Sequence, residues 1–146
     1  MNGSLNRYTH LIGRTLISVL FLSSGYFKLA NWSATAAQMT SSGIPAVSLA
    51  LPAAVVIELG GGLLLLLGYR ARLAATVLGL YLAIVTGTLH NFWAVESLQR
   101  QEQAAHLLKN LAILGGLVRL MSDGAGAISF DARRLRAEFS AQAGLR

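Results

Sequence analysis

Long apolar segments are the feature of this sequence that most constrains its fold. Four of them, residues 11–30, 48–68, 73–90 and 106–121, are dominated by aliphatic and aromatic side chains. A helix of about 20 residues crosses the hydrocarbon core of a bilayer. Charged residues make up only 12% of the chain, about half of what a soluble domain carries. The sequence therefore predicts an all-α integral membrane protein, a bundle of four transmembrane helices in one domain of residues 1–146.

The bounds of two segments need interpretation. The start of the first resembles a signal peptide, with Ala34-Thr35-Ala36 as a small-residue cleavage site. That site lies beyond Lys28 and Trp32, well past the apolar run, so we interpret the segment as a retained span. The second span begins between Ala46 and Pro52. Pro52 either opens this helix or kinks it one to two turns in.

The distribution of basic residues predicts the orientation in the membrane. Lys and Arg accumulate in the cytoplasmic segments of membrane proteins. The two long loops, residues 31–45 and 91–105, contain a single basic residue, Arg100. The opposite side holds seven: Arg7, Arg70, Arg72, Arg133, Arg134, Arg136 and Arg146. Both termini are therefore expected in the cytoplasm.

Short surface helices are expected outside the spans. Residues 33–42 can form one that Gly43 ends. Residues 95–105 can form another, with Glu96 and Arg100 paired four residues apart. Within the basic tail, residues 122–146, the segment from Asp131 predicts an amphipathic helix. Its clustered arginines would each contribute about 1 kcal/mol at an anionic leaflet.

Glu58 is the polar residue that most needs explanation, since it lies near the middle of the second span. An ionised group at this depth costs at least ~2.5 kcal/mol. Glu58 is therefore expected either to be protonated or to have a cationic partner within the bundle. Lys109 is one candidate partner, although both side chains would have to reach along the bundle. Gly60, Gly61 and Gly62 follow and permit close approach of a neighbouring helix.

Other polar residues are predicted to lie near Glu58 at different depths. Arg14, Ser18, Phe21, Gly25 and Lys28 share one face of the first span, and Thr76, Ala83, Thr86 or Gly87, and His90 share one face of the third. The predicted polar, ligand-binding interior consists of Glu58, Lys109, Asn110, His90, Asn91, Lys28 and Arg14. The simpler alternative is that Arg14, Lys28 and Arg119 extend toward the nearest membrane surface.

Several classes of chemistry are excluded or unsupported. The chain has no cysteine, so thiol–disulfide exchange and Cys-ligated metal sites are impossible within it. The histidines His90 and His106 do not specify a metal, because no third ligand converges with them, and no metal is predicted. The net charge of +6 comes from basic residues at helix ends and in the tail, a distribution that fits anionic lipid better than nucleic acid. No self-contained catalytic motif is present, so whether the chain is an enzyme stays open.

Several short motifs together resemble the DoxX family of small bacterial membrane proteins. They occur in the order in which that family has them and cover roughly residues 11–131. The motifs are Gly13-Arg14, Ser24-Gly25, Lys28, Glu58-Leu59-Gly60-Gly61-Gly62, Gly68-Tyr69-Arg70-Ala71-Arg72, His90-Asn91-Phe92-Trp93, and Lys109-Asn110-Leu111-Ala112 before Gly115-Gly116. The resemblance implies four membrane-spanning helices and, loosely, a connection to membrane redox and thiol-stress systems.

Three functions remain open at this point. The first is an accessory subunit of a quinone-linked redox or stress-response system, which binds a small apolar ligand, such as a quinone, in the polar interior. The second is a scaffold or assembly protein whose polar residues fix helix register. The third is a small-molecule transporter, which four short spans would form only as an oligomer. The expected partners are membrane lipids, a redox partner subunit and further copies of the chain.

Overall fold

The chain is all-helical throughout the part that the structure describes. This computed structural model describes the backbone of residues 2–89 and 97–143, and the side-chain environments of residues 7–88 and 101–143. These residues contain no strand. The helices are α1 (Asn2–Ala30), α2 (Trp32–Ser41), α3 (Val47–Leu67), α4 (Ala71–Leu89), α5 (Ser97–Asp123) and α6 (Phe130–Ala143).

Three of the described helices are long and apolar enough to cross a membrane. They contribute Val47–Leu67, Ala71–Thr88 and Gln101–Asp123, which correspond to the second, third and fourth predicted spans. The predicted first span lies within α1, which is longer than a bilayer requires. α1 is not among the three, and it contains the polar residues Arg14, Ser18 and Lys28 on its predicted inner face.

The long helices pack in the order α1, α3, α4 and α5, and α5 also contacts α1. Glycines let three of them approach closely. A Cβ added at Gly25 of α1 would lie 2.8 Å from Leu59 of α3, and one at Gly61 would lie 2.8 Å from Leu78 of α4. The largest fully buried apolar side chains are Phe21, Leu51, Leu65, Leu78 and Leu117. Such interdigitation fixes the axial position of each helix against its neighbours.

The predicted faces of the spans are only partly correct. On α1, Arg14, Ser18, Phe21 and Gly25 are buried and Lys28 is half-buried, as predicted. On α4 the predicted stripe is wrong at Thr76 and Ala83, which are exposed. Of the alternatives Thr86 and Gly87, Thr86 is buried and Gly87 is exposed, and His90 lies outside the described residues. The buried face of α4 consists of Ala71, Ala74, Ala75, Leu78, Gly79, Leu82 and Thr86. The small alanines on this face allow close packing.

The shorter predicted elements have different outcomes. The surface helix expected at residues 33–42 is α2, after which Gly43 takes a positive φ of 73°. The helix expected at residues 95–105 is not a separate element, because α5 continues unbroken from Ser97 to Asp123. Pro52 lies inside α3 rather than opening it. The predicted tail helix is α6.

A tight turn connects α3 to α4 at the end of the molecule where α5 ends and α6 begins. Gly68 and Arg70 both have left-handed backbone conformations, with φ of 66° and 46°. A Cβ at Gly68 would collide with Ser129 and with the Arg14 guanidinium, so this position requires glycine. The turn therefore allows the segment after α5 to dock directly against it.

Candidate functional site

A polar cluster lies between α1, α3 and α4, and we call Ser24, Lys28, Glu58 and Tyr81 the Glu58 cluster. The Lys28 ammonium lies 2.9 Å from both carboxylate oxygens of Glu58 and donates a 2.7 Å hydrogen bond to the Ser24 hydroxyl. From the other side, the Tyr81 hydroxyl donates a 2.7 Å hydrogen bond to Glu58 Oε1. The Glu58 carboxylate is thus held between a cation and a neutral donor.

Helix geometry explains why these groups meet. Glu58 lies about 16 Å along α3 from Val47, and Tyr81 lies about 15 Å along α4 from Ala71, so each residue lies near the middle of its helix. Side chains on a helix point toward its N-terminus. Lys28, near the end of α1, therefore extends back toward Ser24 one turn earlier and reaches Glu58. The alternative that Lys28 extends toward the membrane surface is therefore wrong. Glu58 does have a cationic partner, and that partner is Lys28 rather than Lys109.

Exposure differs within the cluster. The Glu58 side chain is 4% exposed, whereas that of Lys28 is 23% exposed. Lys28 is therefore more accessible from outside the protein than Glu58. The three N–H donors of its ammonium are engaged by Ser24 and by the two oxygens of Glu58, so a carbonyl oxygen of a ligand would replace one of these partners.

Arg14 forms a second buried polar group, and we call Arg14, Leu66, Ala125 and Ile128 the Arg14 cluster. The guanidinium donates to the carbonyls of Ala125 at 2.6 Å, Ile128 at 3.0 Å and Leu66 at 3.4 Å. Arg14 is 2% exposed, so the expectation that it extends toward the surface is wrong. Its partners are backbone carbonyls, three of them within reach of one planar guanidinium fork. This arrangement is suited to holding segments together.

The remaining predicted residues do not join Glu58. Lys109 is exposed, and its Nζ lies 3.3 Å from Nδ1 of His106 on the same helix, so it is not the partner of Glu58. Asn110 instead donates a 2.9 Å hydrogen bond to Thr86, which joins α5 to α4. His90 and Asn91 lie outside the described residues. Arg119 is exposed and pairs with Asp123, in accordance with the simpler alternative.

Two members of the Glu58 cluster were missed from the sequence, and each had a signal. Ser24 precedes Lys28 by four residues, the spacing that places two side chains together on a helix. Tyr81 is a hydroxyl-bearing residue in the middle of an apolar span, where a hydroxyl needs a partner. Among the described residues, no group of three His, Asp or Glu side chains is arranged to hold a metal.

The chain is similar in sequence to known membrane proteins. The DoxX family model matches residues 9–91, which contain the whole Glu58 cluster. The inner membrane proteins YqjF and YphA of Escherichia coli are each 32% identical to this chain. The aligned regions cover 83% and 84% of this chain, respectively, and 88% of each relative.

A more distant similarity extends to a yeast protein. The ER-derived vesicles protein ERV29 of Saccharomyces cerevisiae is 32% identical over 80 residues, which cover 55% of this chain and 26% of that protein. No solved structure matches the chain. The family match covers more than half of the chain, and the two bacterial relatives align over most of their lengths. This chain therefore belongs to the DoxX family and is a multi-pass protein of the inner membrane.

Proposed function

We propose that α1, α3, α4 and α5 form a four-helix bundle that spans the inner membrane four times, with both termini in the cytoplasm. Two observations support the inclusion of α1. It packs along α3, and its polar side chains Arg14 and Lys28 have internal partners, so lipid does not have to solvate them. The arginines of the α3–α4 turn and of α6 support the orientation.

Reporter fusions test this topology. Fusions after Arg72 and after Ala143 are both expected to be active only with a cytoplasmic reporter. A fusion within residues 33–42 should be active only with a periplasmic one. Opposite locations for the Arg72 and Ala143 fusions would contradict the proposed four spans.

We further propose that the protein is an accessory subunit of a quinone-linked membrane redox system and that the Glu58 cluster is its ligand site. The observation that supports this is the ion pair of Lys28 and Glu58 at the middle of α3, with the Lys28 side chain partly exposed. A ligand dissolved in the bilayer reaches this depth without crossing water. A quinone carbonyl oxygen is an acceptor that the Lys28 ammonium and the Ser24 hydroxyl can both serve.

The hydrogen-bonded order of the cluster supports a role in proton positioning. Tyr81, Glu58 and Lys28 form one continuous chain of hydrogen bonds. Glu58, as a carboxylate, has no proton to pass on, so the proposed role of this chain is to hold the Lys28 ammonium where it can donate a hydrogen bond to a ligand carbonyl oxygen. Because the sequence has no cysteine, a partner subunit would deliver the electrons.

Quinone retention and quinone-dependent stabilisation test the proposal. Protein purified in mild detergent is expected to contain quinone by mass spectrometry and to unfold at a higher temperature with added short-chain quinone. Both effects should be lost in Lys28→Met. Lys109→Met is the matched control, since it removes an exposed lysine outside the cluster, and it should retain both effects. Absence of quinone and of stabilisation in the unmodified protein would contradict the proposal.

A second function, a scaffold without chemistry, is favoured by a specific observation. Both carboxylate oxygens of Glu58 and the ammonium of Lys28 already have partners within the chain. Such internally paired groups can fix the register of helices. Under this alternative, Lys28→Met and Glu58→Gln would impair assembly with partner proteins only in proportion to lost stability. Loss of quinone binding in a variant that remains stable would favour the redox subunit.

A further inference from the structure

An open groove lies at the end of the molecule opposite to α2, between the start of α4, the segment after α5 and the inner face of α6. Its volume is about 700 Å³. Basic and apolar side chains both line it, including Arg70, Arg72, Leu73, Arg134, Leu135 and Glu138. None of these residues belongs to the Glu58 cluster.

The acidic residues of the groove all have partners within the chain. The carboxylate of Asp131 accepts hydrogen bonds from the backbone N–H groups of Arg70 and Ala71 at the start of α4. Asp123 pairs with Arg119, and Glu138 pairs with Arg134.

Arg70 and Arg72 have no carboxylate partner among the described residues. Arg70 lies over the Tyr69 ring, and Arg72 donates to the Ser122 carbonyl. Arginine at such a position retains donors suited to a phosphate.

The apolar wall of the groove continues along the outside of α4. Leu73 lines the groove and is 55% exposed. It is also the first member of what we call the α4 stripe, namely Leu73, Val77, Leu80 and Ile84. All four are exposed, and their spacing places them on one face of the helix. A ligand with a charged head at Arg70 and a long apolar tail along the α4 stripe fits this arrangement.

We propose that this groove binds an anionic phospholipid, with its phosphate at Arg70 and Arg72 and one acyl chain along the α4 stripe. α6 would contribute to the same site from the opposite wall of the groove. Its exposed Leu135 and Phe139 lie on one face, and Arg136 lies beside them, so the helix rests on the headgroups of the same leaflet. The site is independent of the ligand proposed for the Glu58 cluster.

Lipid retention measured by native mass spectrometry tests the proposal. The full-length protein is extracted from vesicles containing equal amounts of phosphatidylglycerol and phosphatidylcholine, and the bound lipids are counted. Unmodified protein is expected to retain phosphatidylglycerol in preference. Arg70→Gln and Arg72→Gln should each reduce that preference about fivefold. Lys109→Gln, which removes one positive charge at the opposite end of the molecule, should leave it unchanged.

Three results would overturn the proposal. They are equal retention of the two lipids by unmodified protein, an equal reduction in Lys109→Gln, and release of phosphatidylglycerol by excess inorganic phosphate at matched ionic strength. The last result would mean that the arginines bind phosphate without the acyl chain. Circular dichroism of each variant in phosphatidylcholine alone checks that it is folded, and Arg70→Lys, which keeps the charge, should retain most of the preference.

Discussion

The Glu58 cluster and the Arg14 cluster both place a cation of α1 against groups from other parts of the chain, but they use different partners. Lys28 meets the Glu58 carboxylate of α3, to which Tyr81 of α4 also donates. Among the described residues, the Arg14 guanidinium donates to backbone carbonyls, from the end of α3 and from the segment after α5. The two residues lie on the same face of one helix, four turns apart.

The difference shows what each cation can do. Carbonyls at the end of a helix and in a loop lack intrahelical partners, so a guanidinium there satisfies acceptors that would otherwise be buried unpaired. That role requires a permanent charge and offers no exchange of protons. A carboxylate and an ammonium side by side near the middle of α3 can exchange a proton or a ligand. The Arg14 cluster therefore fits a structural role, and the Glu58 cluster fits the proposed functional one.

Replacing Arg14 should have the largest effect on stability. Arg14→Met leaves three carbonyls without their donor, and we expect a loss of about 3–5 kcal/mol in the free energy of unfolding. Arg14→Lys should recover less than half, because a shorter side chain with a compact ammonium lacks the planar fork that spans the three carbonyls. Unfolding by denaturing detergent, followed by circular dichroism, measures both. Arg119→Met, which removes an exposed arginine, should cost under about 1 kcal/mol. A loss as small as that in Arg14→Met would contradict the structural role of the Arg14 cluster.

Breaking the Lys28–Glu58 pair should have a smaller effect that a second substitution reverses. Glu58→Gln or Lys28→Met leaves one buried charge unpaired, and each should cost about 2–3 kcal/mol. The double variant should regain most of the stability, within about 1 kcal/mol of the unmodified protein. Additive losses in this double-mutant cycle would mean that the two groups are not coupled.

Asp131 should contribute about 1 kcal/mol at the same end of the molecule as Arg14. Its carboxylate accepts from two N–H groups at the start of α4, while its own N–H donates to Gly68. Asp131→Ala removes the cap, and typical cap losses are about 0.5–2 kcal/mol. Hydrogen exchange should become faster in the first turn of α4 and in α6, and remain unchanged around Glu58. Faster exchange at Glu58 would show that the two clusters are not separate.

The hydrogen bond between Asn110 and Thr86 should contribute least. Interhelical hydrogen bonds in membranes average about 0.6 kcal/mol. Asn110→Leu and Thr86→Val should each lose about that amount, and the double variant should lose no more than either alone. Unfolding in the same detergent series measures these differences, with Lys109→Met as the unaffected neighbour. A loss above about 2 kcal/mol would mean that this contact contributes as much to stability as the two clusters do.

Much of the fold could be predicted from the sequence because hydropathy and charge act locally. The three apolar helices, the short helix α2 and the tail helix α6 follow from composition, from Gly43 and from the charge pattern. The inner face of α1 followed from spacing alone, since Arg14, Ser18, Phe21 and Gly25 recur at helical intervals. The unbroken start of α5 did not follow, because polar residues 97–105 suit both a surface helix and the extension of a longer one.

The candidate site could be predicted in kind but not in composition. That Glu58 needs a partner follows from the cost of burying a charge. The choice of Lys28 over Lys109 depends on which helices are neighbours and on their relative depths. Close approach at Gly25 and Gly61 brings α1, α3 and α4 together around Glu58, and Tyr81 enters with α4.

By itself the sequence determined that the chain is helical, belongs to a membrane and must either protonate Glu58 or give it a cationic partner, since hydration and helix length depend only on local composition. Tertiary structure alone decided that Lys28 provides the compensation, that Arg14 holds backbone carbonyls and that Lys109 remains outside. The physical reason is that hydrogen bonds and ion pairs act over a few ångströms. Their partners are therefore set by helix packing, which joins residues that are distant in the chain.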